Sequence, residues 1–465
     1  MKKFVHTTIM AFIITLSLNA QINAKVHYVK LVEGEEIVSN PIKTQDVKSE
    51  GKGISVRIYP DISFQTITGI GGAFNEIGGE ALMSLSEDQQ NDIMKNLFDK
   101  NRANFTVCRT AIGASDFGID AYSYSEVPND YEMKKFSIER ERTSVIPFIK
   151  MAYKYNPNMQ LFASPWSPPG WMKASGLMDR GEEFPEKNVL KDDPKIYKAY
   201  AKYFSKYVDA YAKEGIAVNK IVIQNEQDIS TKYPSCNMPP KQMGEFVINY
   251  LRPQFEKDKT PAEIWAGSFR TAKRLDGLEF VANKEWRSAV DGIGVQYMNA
   301  RQVENMEAVF PDIKFLHTEG NCHGGENSIN QAFSRFDEVA AFINHGVPNF
   351  CYWNMILNED SSSGWGWKQN SLIKINRKEK TVTYNPDYAA MALFGRFMRS
   401  GMKVVASASW YGDTITLADD TNVYLFIKND SDKVKAFDIW LKDNQAQVVD
   451  IPANTISVVE LNYKK

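Results

Sequence analysis

Short apolar runs alternate with longer amphipathic stretches through most of this chain. Phe105–Arg109, Met159–Ala163, Ile221–Ile223, Glu263–Ala266, Gly292–Val295, Ile313–Thr318 and Phe350–Trp353 are the runs. They are too short for helices and read as strands of a parallel sheet covered on both faces. The stretches between them carry apolar residues at helical spacing. Ser86-Glu87-Asp88-Gln89 is a capping box ahead of Ile93, Met94, Leu97 and Phe98. Val145–Tyr155, Gln242–Phe255, Ile329–His345 and Asp387–Met398 read as further helices. The longest, Pro194–Lys213, has proline early, Gly215 just past its end, and Ile196, Tyr200, Phe204, Tyr207 and Tyr211 on one face. That spacing predicts packing against a sheet rather than a tyrosine binding face. With a strand beginning at Ile67, eight strand–helix repeats predict a (β/α)8 TIM barrel.

The period changes at both ends. Val26–Leu31 and Ile54–Tyr59 precede the barrel, and Val404–Ala406, Val423–Phe426, Phe437–Trp440 and Ile456–Leu461 follow it. All read as strands, the later ones divided by Asp/Asn turns. The simplest packing is one β-sandwich built from both chain termini, over residues 25–60 and 401–465. The barrel then occupies 61–400. No low-complexity linker separates the two, so they are expected to be fixed together.

Ahead of residue 25, Lys2 and Lys3 precede a short apolar run from Ile9 to Leu18, with Ala20 and Ala24 as possible cleavage positions. This reads as an export signal over residues 1–24. The run is too short to span a bilayer, and no cysteine follows it to carry a lipid. The expectation is a secreted or periplasmic monomer with no stable membrane insertion.

Charge narrows the function classes. The 465 residues carry a net charge of −2 with both signs spread along the chain, which supports neither nucleic-acid nor anionic-membrane binding. Four cysteines in so large a chain do not form a disulfide scaffold. Cys108 and Cys351 fall in predicted strands as buried thiols. Cys236 and Cys322 fall in loops, and whether they pair stays open.

The chemistry gathers where strands end. Ile221-Val222-Ile223 runs into Gln224-Asn225-Glu226-Gln227, and Ile313–Thr318 runs into Glu319. Barrels of this kind place their sites at the C-terminal ends of strands. Two carboxylates there suit general acid/base and nucleophilic work on one substrate. A single acidic strand end reads equally well as the N-cap of the next helix. The other strand ends decide. They carry Arg109 followed by Asp116, Ser164-Pro165-Trp166, Gln296-Tyr297, and Trp353-Asn354 with Trp365 and Trp367 beyond. Acids, amides and indoles on one rim describe a sugar site. The glycines of Thr66–Glu76 match no phosphate-binding GxGxxG and instead let backbone pass close to a ligand or a neighbouring strand. His317, Glu319, Cys322 and His323 are close in sequence, but their spacing matches no common zinc pattern. No metal and no cofactor are expected.

Taken in order, Gly71-Gly72-Ala73-Phe74-Asn75-Glu76, Arg109 with Asp116, Ser164-Pro165-Trp166, Gln224-Asn225-Glu226, Thr318-Glu319 and Trp353-Asn354 resemble glycoside hydrolase family 30, the glucosylceramidase and β-1,6-glucanase group. The resemblance covers nearly the whole chain after residue 24. It implies a barrel with a β-sandwich from both termini and retaining hydrolysis of a β-linked glycan or glycoside. It also implies that Glu226 is the acid/base and Glu319 the nucleophile. By the same resemblance Asn225 binds the sugar 2-hydroxyl, Asp116 and Trp166 hold other hydroxyls, and Trp353 belongs to the substrate-binding set. Arg109 orients the nucleophile, the alternative being a structural ion pair under the rim.

Two positions depart from the family. Gln227 stands where proline is common, which should affect only the turn. Gln296-Tyr297-Met298 stands where His and aromatics are common, leaving Tyr297 as the candidate hydroxyl near the nucleophile. The substrate is not fixed: glucosylceramide, β-1,6-glucan, β-xylosides, β-fucosides and β-1,6-galactan all fit the family. The loops Asp179–Asp193 and Asn358–Gln369 are expected to choose. A non-catalytic carbohydrate-binding barrel would be favoured by loss of either glutamate, and both are present. A nucleotide-dependent enzyme would need a phosphate loop.

Overall fold

A computed structural model describes residues 24–46, 52–270, 275–412, 414–442 and 444–462. The export signal expected over 1–24 lies outside them, apart from Ala24. Eight parallel strands form the central sheet: β1 (Gly69–Phe74), β2 (Val107–Ala111), β3 (Gln160–Ser164), β4 (Lys220–Val222), β5 (Glu263–Phe269), β6 (Gly292–Gln296), β7 (Phe315–Glu319) and β8 (Asn349–Asn354). They are ordered β7-β6-β5-β4-β3-β2-β1-β8. The ring is closed between β7 and β8 largely by a side chain. The Asn349 amide accepts from the His317 N–H at 2.8 Å and donates to the His317 carbonyl at 2.9 Å. Gly320 N–H then donates to the Cys351 carbonyl at 2.7 Å. The fold is the (β/α)8 barrel read from the sequence.

The β1 glycines serve strand approach. A Cβ at Gly71 would strike the Val107 carbonyl on β2, and one at Gly72 would meet the Met355 side chain. The Pro194–Lys213 helix forms with the predicted bounds, capped by Asp193, which accepts from the Lys195 N–H. Its tyrosines face the core. Below them lies a group the sequence reading passed over. Buried Glu141 accepts from the hydroxyls of Tyr122 at 2.8 Å, Tyr124 at 2.6 Å and Tyr211. The segment expected as one helix over Gln242–Phe255 has a wide π-type middle, Val247–Leu251, between α-helical Pro240–Phe246 and Arg252–Asp258. Pro253 explains it, because its ring and missing N–H disrupt the i−4 pattern.

Both termini build a second, mostly antiparallel sheet of nine strands. Ala24–Lys30 pairs with Thr455–Asn462, placing Val26 opposite Val459. Ile54–Thr66 lies between Lys403–Ser409 and Lys435–Leu441. Strand-type alternation divides its side chains. Val26, Val56, Ile58, Leu425, Ile427, Phe437 and Val459 share one core, while Val404, Leu417, Phe426, Ile456 and Val458 join the barrel core. Phe426 contacts Phe394 of the helix Pro386–Phe397 with ring centroids 6.0 Å apart. The sandwich is therefore fixed to the barrel by a shared apolar layer, as the missing linker implied. Its strands Lys43–Gln45, Ile415–Ala418 and Asn444–Ile451 were not read from the sequence. Neither was the small sheet Ile356–Asn358, Ile373–Asn376 and Thr381–Tyr384 in the loop after β8.

Candidate active site

Arg109 is the structural centre of the rim. It points up from β2, is fully buried, and reaches two other strands and the segment past β4. Its guanidinium donates to Glu319 Oε2 at 2.6 Å, to the Thr318 carbonyl at 3.1 Å and to Asn225 Oδ1 at 2.7 Å. It also donates to Ser164 Oγ at 2.6 Å. Above it Trp166 and Trp353 stack on each other at 4.8 Å, with the guanidinium carbon 4.6 and 5.4 Å from their ring centres. Both readings of Arg109 thus meet in one residue: it is a buried ion pair, and the partner is the proposed nucleophile.

Glu319 is the last residue of β7. Its second oxygen accepts from the Tyr297 hydroxyl. Tyr297 follows β6 with a φ of 49°, in the left-handed region, and that backbone turns the ring toward β7. Such conformations in bulky residues collect at functional sites. Asn225 uses Oδ1 to accept from Arg109 and, at 3.3 Å, from Gln296 Nε2. Its Nδ2 donor is the end available to a ligand. Asp116, in the loop after β2, accepts from Trp353 Nε1 at 3.4 Å through one oxygen, while its other oxygen is buried without a partner. An unpartnered buried carboxylate oxygen is costly unless a ligand supplies a donor.

Glu226 stands beyond β4, in a turn, with a φ of 44°. Four links sew that turn to β5 and the helix after it. Gln224 N–H donates to the Gly267 carbonyl at 2.8 Å, and Ser268 N–H donates back to the Gln224 carbonyl. Gln227 Nε2 donates to Asp276 at 3.0 Å, and Arg270 Nε donates to Asp228 at 2.9 Å. Gln227, the departure from proline, therefore has a partner of its own. Among the described residues the Glu226 carboxyl is paired only loosely, with Arg270 Nη1 3.5 Å away.

The two glutamates differ electrostatically. Burial, the Glu319 charge and Asp228 push Glu226 up to about 8, against the pull of Arg270 and Arg109. Burial also raises Glu319, but Arg109 and the Tyr297 hydrogen bond oppose it. Asp116 is raised well above the carboxylate range by burial and by the charges of Glu319 and Glu226. This is the environment split that separates a proton donor from an anion on one rim.

The outer walls come from loops. Trp365 Nε1 donates to Asp179 Oδ2 at 3.3 Å, so the two loops expected to choose the substrate touch each other. Tyr233 lies 6.1 Å from Trp367, ring to ring, and Lys173 is buried between loops, donating to the Met178 and Ser235 carbonyls at 3.0 and 2.6 Å. Tyr233 and Arg270 were missed in the sequence. Arg270 had a signal, since it is the first residue past β5 on the rim that carries the other candidates. The four residues weighed as a zinc set do not converge. His317 is buried in the barrel core, its ring stacked on Phe350 at 4.2 Å, and no metal-ligand cluster occurs among the described residues. All four cysteines are buried free thiols, so Cys236 and Cys322 do not pair.

Residues 67–398 match the family model described as glycosyl hydrolase family 30 TIM-barrel domain. Endo-1,6-beta-D-glucanase neg1 of Aspergillus fumigatus is 30% identical over 375 residues, covering 75% of this chain and 73% of that protein. Lysosomal acid glucosylceramidase of Mus musculus is 26% identical over 417 residues, covering 83% of this chain and 79% of that protein. Among solved structures, SrfJ from Salmonella typhimurium superposes with a TM-score of 0.84 at 22% identity, covering 95% of this chain and all of that one.

Proposed function

Because this chain belongs to glycosyl hydrolase family 30, and is on that ground a glycoside hydrolase, we propose that it hydrolyses β-glycosides with retention, using Glu319 as nucleophile and Glu226 as acid/base. The observation that carries this reading is the unequal treatment of the two carboxyls. Glu319 accepts two strong donors, which favour its anion. Glu226 is buried and pushed up to about 8, which keeps it protonated at neutral pH. In the first step Glu319 forms a bond to the anomeric carbon, the glycosidic bond breaks, and the Glu226 proton goes to the leaving oxygen. In the second step water attacks the anomeric carbon, its proton goes to Glu226, and the bond to Glu319 breaks.

The Nδ2 of Asn225 faces the sugar 2-hydroxyl in this reading, and the unpartnered oxygen of Asp116 takes a hydroxyl further round the ring. Trp166 and Trp353 form the apolar floor beneath it. The relatives named above support a β-glucosyl unit, joined either to ceramide or to the 6-oxygen of another glucose. Other sugars of the family, β-xylosyl, β-fucosyl and β-1,6-galactosyl, are the alternatives. Export rests on the basic-then-apolar start of the chain. Cleavage after Ala20 would leave the strand Ala24–Lys30 whole. No helix among the described residues is long and apolar enough to cross a membrane.

Hydrolysis of β-1,6-glucan, glucosylceramide and aryl β-glycosides, followed by proton NMR of the first-formed sugar, tests the reading. A β anomer appearing first is the expected result; an α anomer would remove the retaining mechanism.

A further inference from the structure

The two carboxyls differ in one more respect. Glu319 is fixed by Arg109 and Tyr297, whereas among the described residues the polar partner of the Glu226 carboxyl is Arg270, at 3.5 Å. Arg270 does not hang free. Its Nε donates to Asp228 Oδ1 at 2.9 Å, and Asp228 is two residues past Glu226 on the same turn. The guanidinium is thereby clamped across the gap between the β4 turn and the end of β5, one nitrogen on Asp228 and another toward Glu226.

We propose that Arg270, clamped by Asp228, is the positioning residue that lets Glu226 give up its proton to the leaving group and then hold negative charge until water is activated. The inference rests on Glu226 being the acid/base. The groups facing Glu226 are Asp228 and Tyr233 from its own loop, Glu319 from β7, and Arg109 and Asp116 from β2 and its loop. Tyr297 lies past β6, and Arg270 past β5. Before reaction the Glu319 charge opposes ionisation of Glu226. Once Glu319 is bonded to sugar, that charge is gone. Among the described residues Arg270 and the more distant Arg109 then remain as cations, and Arg109 stays engaged by Asn225 and Ser164. Arg270, held on the turn that carries Glu226, is thus the nearer cation to settle the Glu226 anion in the step where it must act as a base. The 3.5 Å gap suits this alternation, because a tight pair would strip the proton before substrate arrives.

The test is the pH dependence of kcat/KM on 4-nitrophenyl β-glucoside in Arg270→Met, Arg270→Gln and Arg270→Lys. Loss of the charge should move the alkaline limb up by about one pH unit in the first two, and lysine should restore most of the wild-type position. On 2,4-dinitrophenyl β-glucoside, Met and Gln should show a burst followed by slower turnover, because the second step loses its base. Gln can still donate to Asp228, so it carries the test if Met does not fold. An alkaline limb that stays in place, with or without a rise in KM, would overturn the proposal. Azide rescue of Glu226→Ala tests the acid/base reading separately: rescue with an unmoved Arg270 limb condemns only Arg270.

Discussion

Arg109 and Glu319 form an ion pair at 2.6 Å in which the guanidinium side chain is 0% exposed and the carboxylate 6%. At that depth neither charge is stabilised by water, so each depends on the other. Arg109→Met should cost roughly 3–5 kcal/mol of stability, because it leaves a buried carboxylate without its counter-ion. The double variant Arg109→Met, Glu319→Gln should recover part of that loss. Denaturant unfolding of the single and double variants measures both. Equal stability in Arg109→Met and wild type would show that the pair contributes nothing.

Glu319→Gln should abolish turnover on every substrate, since no covalent intermediate can form. Glu226→Ala should behave differently. With a good leaving group it should still glycosylate, and added azide should release a β-glycosyl azide. An α-glycosyl azide, or full activity in Glu319→Gln, would reverse the roles assigned here.

The pH profile of kcat/KM follows from the same two groups. In the proposed mechanism Glu226 must be protonated, so activity should fall as pH rises through about 8. In the same mechanism Glu319 must be ionised, so activity should fall as pH drops through its own value, which burial raises above that of an ordinary glutamate. Tyr297→Phe removes a donor that favours the Glu319 anion, so it should shift the acid limb upward. It should also lower kcat/KM by roughly 10- to 100-fold. An acid limb that moved downward in Tyr297→Phe would contradict this.

Glu141 links stability to pH away from the site. Burial raises it to about 7, from the 4.5 of an ordinary glutamate, even though tyrosine hydroxyls bond it. A carboxyl raised by folding favours the fold while both states are protonated, below about 4.5, and that contribution is lost as pH climbs through about 7. The magnitude is about 3 kcal/mol. Glu141→Gln should flatten the change in unfolding free energy between those limits, as measured by denaturant melts at several pH values. An unchanged slope would remove Glu141 from the account.

The barrel was legible because its strands are short apolar runs whose period cannot be mistaken for the helices between them. As candidates, Glu226 and Glu319 stood out because an acid at the end of such a run is out of place without a site, and both stand on one rim of the barrel. Glu141 and the Arg270–Asp228 pair were not, since their meaning lies in partners far along the chain: Tyr211 is 70 residues from Glu141, and Asp228 is 42 from Arg270. The strands Ile415–Ala418 and Asn444–Ile451 escaped for another reason. The first is only four residues long and the second is interrupted by polar residues, so neither stands out before its neighbours in the sheet are known.

The pairing of Ala24–Lys30 with Thr455–Asn462 sets the order in which the molecule can be completed. A strand made early must wait, unpaired along that edge, for a strand that lies far along the chain. Along this edge the sandwich cannot close until Thr455–Asn462 has been made. A chain arrested short of residue 455 would then present the Ala24–Lys30 edge to any other strand that could add to it.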